Sequence, residues 1–119
     1  MRLHHVQLLT PPGGEDAARA FYAGVLGMTE IEKPPELRKR GGCWFRLEGL
    51  ELHLSPVADF VPATRAHPGI VVNGLDLLAQ NLETAGRLVQ WDPHFPGYRR
   101  FYSADDHGNR LEFLEALKD

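Results

Sequence analysis

A chain of 119 residues with 43% hydrophobic and 24% charged residues has room for one core and the composition of an ordinary globular protein. Its formal net charge of -3 excludes a general attraction to nucleic acid or anionic membranes. The lone Cys43 excludes an intramolecular disulfide.

The opening Met-Arg-Leu-His-His has no apolar stretch of a secretory signal, and no run is long enough to span a bilayer, so a soluble cytoplasmic protein is expected. The first strand is predicted at Leu3 to Thr10, ended by Pro11-Pro12-Gly13-Gly14. A helix follows from Glu15 to Leu26, with Ala17, Ala20, Phe21, Gly24 and Val25 at helical spacing and Gly27 as its C-terminal stop. Three strands come next, at Thr29 to Glu32, Gly42 to Leu47 and Leu50 to Leu54. A loop from Lys33 to Gly41, with the basic run Arg38-Lys39-Arg40 as a solvated segment, separates the first two, and Glu48-Gly49 makes the last two a hairpin. After a connection from Pro56 to His67 the order begins again. A strand at Pro68 to Asn73 leads to a helix at Leu75 to Ala85 stopped by Gly86, then to strands at Arg87 to Trp91, Arg100 to Ala104 and Arg110 to Leu114. The turn-rich stretches Asp92 to Arg99 and Asp105 to Asn109 place His94 and His107 in solvent.

The order is therefore βαβββ twice, with Gly27 and Gly86 59 residues apart. It predicts an α+β fold, a single domain over 1–119 made of one module at about 1–56 and another at about 67–116. Strand alternation then sorts side chains onto faces. Leu50, Leu52 and Leu54 share a helix-packed face, leaving Glu51 and His53 on the other. Leu111 and Phe113 leave Glu112 opposite them, and Val6 and Leu8 leave His5 and Gln7. His67 falls on the same non-helix side, whereas His4 is placed on the helix-packed face as a buried or edge histidine. His5 and His67 are 62 apart, both at or near the first strand of a module, and Glu51 and Glu112 are 61 apart, both in the last strand of a module. Two imidazoles and two carboxylates of this kind suit a divalent ion such as Zn, Ni, Mn or Fe with positions left for substrate.

The pieces His5-Val6, Phe21-Tyr22, Val25-Leu26-Gly27 and Asp106-His107-Gly108-Asn109-Arg110-Leu111-Glu112 resemble those of the vicinal oxygen chelate superfamily, across essentially the whole chain. That superfamily includes glyoxalase I, bleomycin-resistance proteins, extradiol dioxygenases, fosfomycin-resistance enzymes and methylmalonyl-CoA epimerase. Asp105-Asp106-His107 replaces the usual Asp-Pro opening of the last motif. The resemblance implies a cupped mixed sheet with helices on its outer face, and a homodimer. It implies metal ligands His5, Glu51, His67 and Glu112, or three of these without Glu51. His53 competes with Glu51 for the second position, either ligating or acting as base or outer support.

Alternation also turns Trp44 and Arg46 toward that face as substrate contacts, with Arg100 and Tyr102 in comparable places. Two functions follow. In one, a divalent metal acts as a Lewis acid on a small molecule with neighbouring oxygens, and Glu51, His53 or Glu112 moves a proton, in isomerase, epimerase, lyase or thiol-transfer chemistry. In the other, the same cup binds or sequesters a small molecule without metal, as in bleomycin-resistance proteins. Charged groups facing a cup need a partner, which favours the first.

Overall fold

The alternating segments form two four-stranded mixed sheets in the computed structural model, which describes residues 1–118. The backbone divides into two compact units, Met1–Pro62 and the residues from Ala63 onward. The α+β class and the two βαβββ modules hold.

In the first unit β1 (Val6–Thr10), β2 (Thr29–Ile31), β3 (Cys43–Leu47) and β4 (Leu50–Pro56) lie in the order β1-β4-β3-β2. The first and last strands of the unit are parallel neighbours, with Val6 opposite Leu52 and Leu8 opposite Leu54. The β3–β4 hairpin closes through Glu48, at φ 52, and Gly49, and sets Phe45 against Leu52 and Cys43 against Leu54. These apolar partners form one buried face, on which Phe21 and Tyr22 pack; Tyr22 stacks on Phe45 with ring centroids 5.4 Å apart.

Two expectations change here. The helix from Glu15 to Leu26 is α-helical only over Glu15–Ala18 (α1) and continues as a π-helical segment, Arg19–Val25. The Leu26 amide donates to the Phe21 carbonyl five residues back, at 3.0 Å. The wider turn buries the adjacent pair Phe21 and Tyr22 and leaves Ala20 and Gly24 exposed, contrary to α-helical spacing. Within the Lys33–Gly41 loop, Pro35 starts a single helical turn, α2 (Pro35–Arg38), because its fixed φ suits a first helical position.

The second unit repeats the plan with β5 (Gly69–Val71), α3 (Leu75–Thr84), β6 (Gln90–Asp92), β7 (Tyr98–Ala104) and β8 (Arg110–Ala116), ordered β5-β8-β7-β6. Again the first and last strands are parallel, with Gly69 opposite Glu112 and Ile70 opposite Phe113. Phe101 faces Phe113 across β7 and β8, and α3 contacts β8 and buries Leu75, Ala79 and Leu82. The predicted Arg87–Trp91 strand begins three residues later, at Gln90. Gly27 and Gly86 do end their helices with left-handed backbone, at φ 75 and φ 73.

Gly42 shows what the β3–β4 approach requires. At φ 86, a Cβ on it would lie 2.0 Å from the Leu54 carbonyl oxygen. Gly13 has a similar φ of 78 but open space around it. Gly42→Ala is therefore expected to cost about 2–4 kcal/mol, and Gly13→Ala only about 1–2 kcal/mol of backbone strain. Urea unfolding midpoints of the two variants check this; equal losses would mean that the Leu54 contact contributes nothing.

Candidate functional site

Parallel pairing of the first and last strand brings His67 and Glu112 into reach in the second unit, and sets His5 beside His53 in the first. In the second unit the Glu112 amide donates to the Pro68 carbonyl at 3.1 Å, which sets His67 beside the Glu112 side chain. His67 Nε2 lies 2.8 Å from Glu112 Oε1, and His67 Nδ1 lies 2.6 Å from the Arg65 carbonyl. Glu112 is 6% exposed, so its charge needs partners, and Arg100 supplies one by donating to Oε2 at 3.1 Å. Arg100 also approaches Asp92 at 3.6 Å. Its Nε is buried without an acceptor among the described residues. Tyr102, opposite Glu112 in the register, meets the edge of His67 with centroids 5.4 Å apart. Arg110, two residues before Glu112 on the same face, places its guanidinium 4.0 Å above the Tyr102 ring.

In the first unit Trp44 is opposite His53 and Arg46 opposite Glu51, all on the face away from the leucines. Three rings stack there: Trp44 on His53 at 3.8 Å and 4°, and His53 on His5 at 4.0 Å and 14°. His53 is 4% exposed and its Nε2 lies 2.8 Å from Glu51 Oε1. Arg46 donates to the other Glu51 oxygen at 3.3 Å. Arg2, His4, Arg46 and Glu51 line a hollow of about 190 Å³.

The electrostatics follow from this packing. Burial holds the His53 imidazole below its ordinary pKa, outweighing the Glu51 hydrogen bond that raises it, and the nearby His5 lowers it further. The hydrogen bond from His53, with help from Arg46, holds Glu51 below the usual carboxylate range against the opposing effect of burial. At neutral pH this makes a neutral imidazole donating to a carboxylate. Cys43 is pushed up to about 11, by burial above all, and is a packed small hydrophobe with no nucleophilic character.

Of the expected ligands, His67 and Glu112 meet directly. Glu51 takes His53 as its partner, and His5 reaches the set only through its ring contact with His53. His4 is corrected: it is exposed and its Nδ1 lies 2.9 Å from His5 Nδ1. The strand begins at Val6, so the face alternation assumed from Leu3 does not extend to it. His94 is exposed as expected, but His107 is half-buried because its backbone N–H is tied to Asp105 Oδ1 at 2.9 Å. The sequence reading missed Arg110, although alternation from Glu112 puts it on the same face. It also missed the stacking of His5 on His53, for which the pattern carries no signal.

An imidazole nitrogen and a carboxylate oxygen 2.8 Å apart are spaced like adjacent ligands of one ion, which lie about 3 Å apart when each bond is about 2.1 Å. The Arg65 carbonyl fixes the opposite nitrogen in the way that supports metal-binding imidazoles. The pair thus fits a divalent ion. Among the described residues no group of three or more His, Cys, Asp or Glu side chains is placed to hold one.

No family model matches the chain, and neither does any curated protein. Among solved structures it is similar to a protein assigned to the glyoxalase family from Bacillus anthracis, at 45% identity and a TM-score of 0.95, covering 98% of this chain and 96% of that one. A variant fosfomycin resistance protein from Listeria monocytogenes, complexed with Mn(II) and 1S,2S-dihydroxypropylphosphonic acid, is 16% identical with a TM-score of 0.79, over 98% and 92% of the two chains. TnmS3, an antibiotic binding protein from a Streptomyces species, is 18% identical with a TM-score of 0.75, over 98% and 99%. The latter two show the fold alone.

The buried imidazole sets a pH dependence. Because the folded His53 pKa lies below that of the unfolded chain, the unfolded state binds more protons between the two values. Stability is therefore complete above about pH 6.5 and falls as the pH drops toward the folded value. Glu51 adds a second loss at lower pH, below about 4.5, since its folded pKa is also depressed. Urea unfolding from pH 8 to pH 5 should show the first loss in the wild type and a flatter profile in His53→Gln; identical profiles would refute the assignment.

Proposed function

This chain belongs to the glyoxalase family of the vicinal oxygen chelate superfamily, and from that premise we propose that it is a metal-dependent enzyme acting on a small molecule with neighbouring oxygens. The reaction is of isomerase, epimerase, lyase or thiol-transfer type. The observation that carries this reading is the buried Glu112 held beside an imidazole whose far nitrogen is anchored to the Arg65 carbonyl. A purely packing histidine has no need of both.

The ligands in this proposal are His5, Glu51, His67 and Glu112, and the ion is Zn, Ni, Mn or Fe. When bound, it supplies Lewis-acid polarisation of the neighbouring substrate oxygens. The remaining work falls to the chain's own side chains. Arg100 orients Glu112 through Oε2, leaving Oε1 toward His67. His53, kept neutral by burial, and Glu51, kept ionised, form a pair between which a proton can be held at His53 Nε2 or Glu51 Oε1. Glu112 is the other candidate for moving it. Trp44 and Tyr102 offer aromatic faces and Arg46 and Arg100 offer charge to the substrate. We read residues 1–119 as one domain of two modules, acting as a cytoplasmic homodimer. No helix among the described residues is long and apolar enough to cross a membrane.

Metal analysis of untagged protein tests the proposal. The wild type should take up a divalent ion, and His67→Ala with Glu112→Gln should weaken uptake by at least about 100-fold. Wild-type protein that takes up none of Zn, Ni, Mn or Fe would overturn it and leave a metal-free small-molecule binder of the bleomycin-resistance kind.

A further inference from the structure

Three arginines of the second unit carry a carboxylate: Arg87 with Asp106, Arg99 with Asp76, and Arg100 with Glu112 and Asp92. Arg110 is half-buried on the Glu112 face and has no such partner among the described residues. Its one hydrogen bond is a long donation, 3.4 Å, to the Thr64 carbonyl. What positions it is the Tyr102 ring, 4.0 Å below, which has the Arg100 guanidinium 5.2 Å from its centroid as well. The Tyr102 hydroxyl likewise has no hydrogen-bond partner among the described residues. Two strong donors are thus left open side by side, next to the His67–Glu112 pair.

We propose that Arg110 and Tyr102 form an oxyanion subsite, so that the substrate carries a carboxylate or a phosphoryl-type group in addition to its neighbouring oxygens. This rests on the reading that the Glu112 face binds substrate. A planar guanidinium with free N–H groups recognises such oxyanions in bidentate fashion, and a phenol O–H adds a third donor. The aromatic platform pre-orients the guanidinium, so less freedom is lost on binding. Arg100 already donates to Glu112 and lies near Asp92, so of the two guanidiniums against Tyr102 it is Arg110 that has N–H groups without a carboxylate.

Titration of metal-free protein with methylphosphonate and, separately, acetate, followed by NMR at the Arg110 Nε–Hε group, tests this. Saturable shifts are expected with at least one anion, and the stronger of the two identifies the group. Arg110→Gln should weaken binding about tenfold, Arg110→Lys and Tyr102→Phe less. Metal uptake by Arg110→Gln, measured in parallel, should be unchanged. Saturable anion binding in a wild type that takes up no metal would support the subsite while removing the enzyme reading. Absence of a saturable shift with both anions, or undiminished binding by a folded Arg110→Gln, would overturn the subsite itself.

Discussion

In each unit one constraint decides where every polar side chain ends up: the first strand lies parallel to, and beside, the last. Parallel partners point to the same face, so Val6 and Leu8 join Leu52 and Leu54, while Gln7 joins His53. In the second unit the same pairing sets Ile70 with Phe113 and brings the chain before Gly69 alongside Glu112. Residues separated by more than forty positions become neighbours through backbone hydrogen bonds alone. A slip of one residue would carry Glu51 and Glu112 into the apolar layer and Leu52 and Phe113 out of it. The apolar faces are buried against Phe21 and Tyr22 in one unit and against α3 in the other, so the register is held by core packing.

Placing ionised groups on a partly buried sheet face carries a desolvation cost, and the two units offset it differently. Glu112 is gripped by a guanidinium and an imidazole. Glu51 takes a hydrogen bond from His53, itself covered on both sides by Trp44 and His5, and a longer one from Arg46. The second arrangement is more open to titration because its donor is a histidine with a depressed pKa. The arginines differ as well: Arg100 is mostly buried beside Glu112, whereas Arg46 is largely exposed beside Glu51. Each unit therefore sets a glutamate between an imidazole and a guanidinium, but draws them from different positions of its strands.

What could be read from the sequence was the part governed by period-two alternation. Glu51, His53, Trp44 and Arg46 share a face because they alternate with the buried apolar residues Cys43, Phe45, Leu52 and Leu54, and Glu112 is likewise isolated between Leu111 and Phe113. Alternation says which face, but not which neighbour. Glu51 pairs with His53 two residues along its own strand, while His5 stacks on the His53 ring, and alternation alone does not distinguish these two places. The helix at Arg19–Val25 was misread because Ala17, Ala20, Phe21, Gly24 and Val25 satisfy α-helical spacing. Only the burial of both Phe21 and Tyr22 against the sheet reveals the wider π-helical turn. Arg110 lay on the right face, yet nothing local separates an arginine with a carboxylate partner from one without.

Strand parity has an evolutionary side as well. Because Phe45, Leu52, Phe101 and Phe113 face one way while Trp44, His53, Tyr102 and Glu112 face the other, neighbouring codons specify two surfaces under separate selection. Substitutions at odd or even positions of the same strand can retune recognition while the layer beneath keeps its shape. A scaffold of this kind can diversify its chemistry by drift, one alternate residue at a time, without passing through unfolded intermediates.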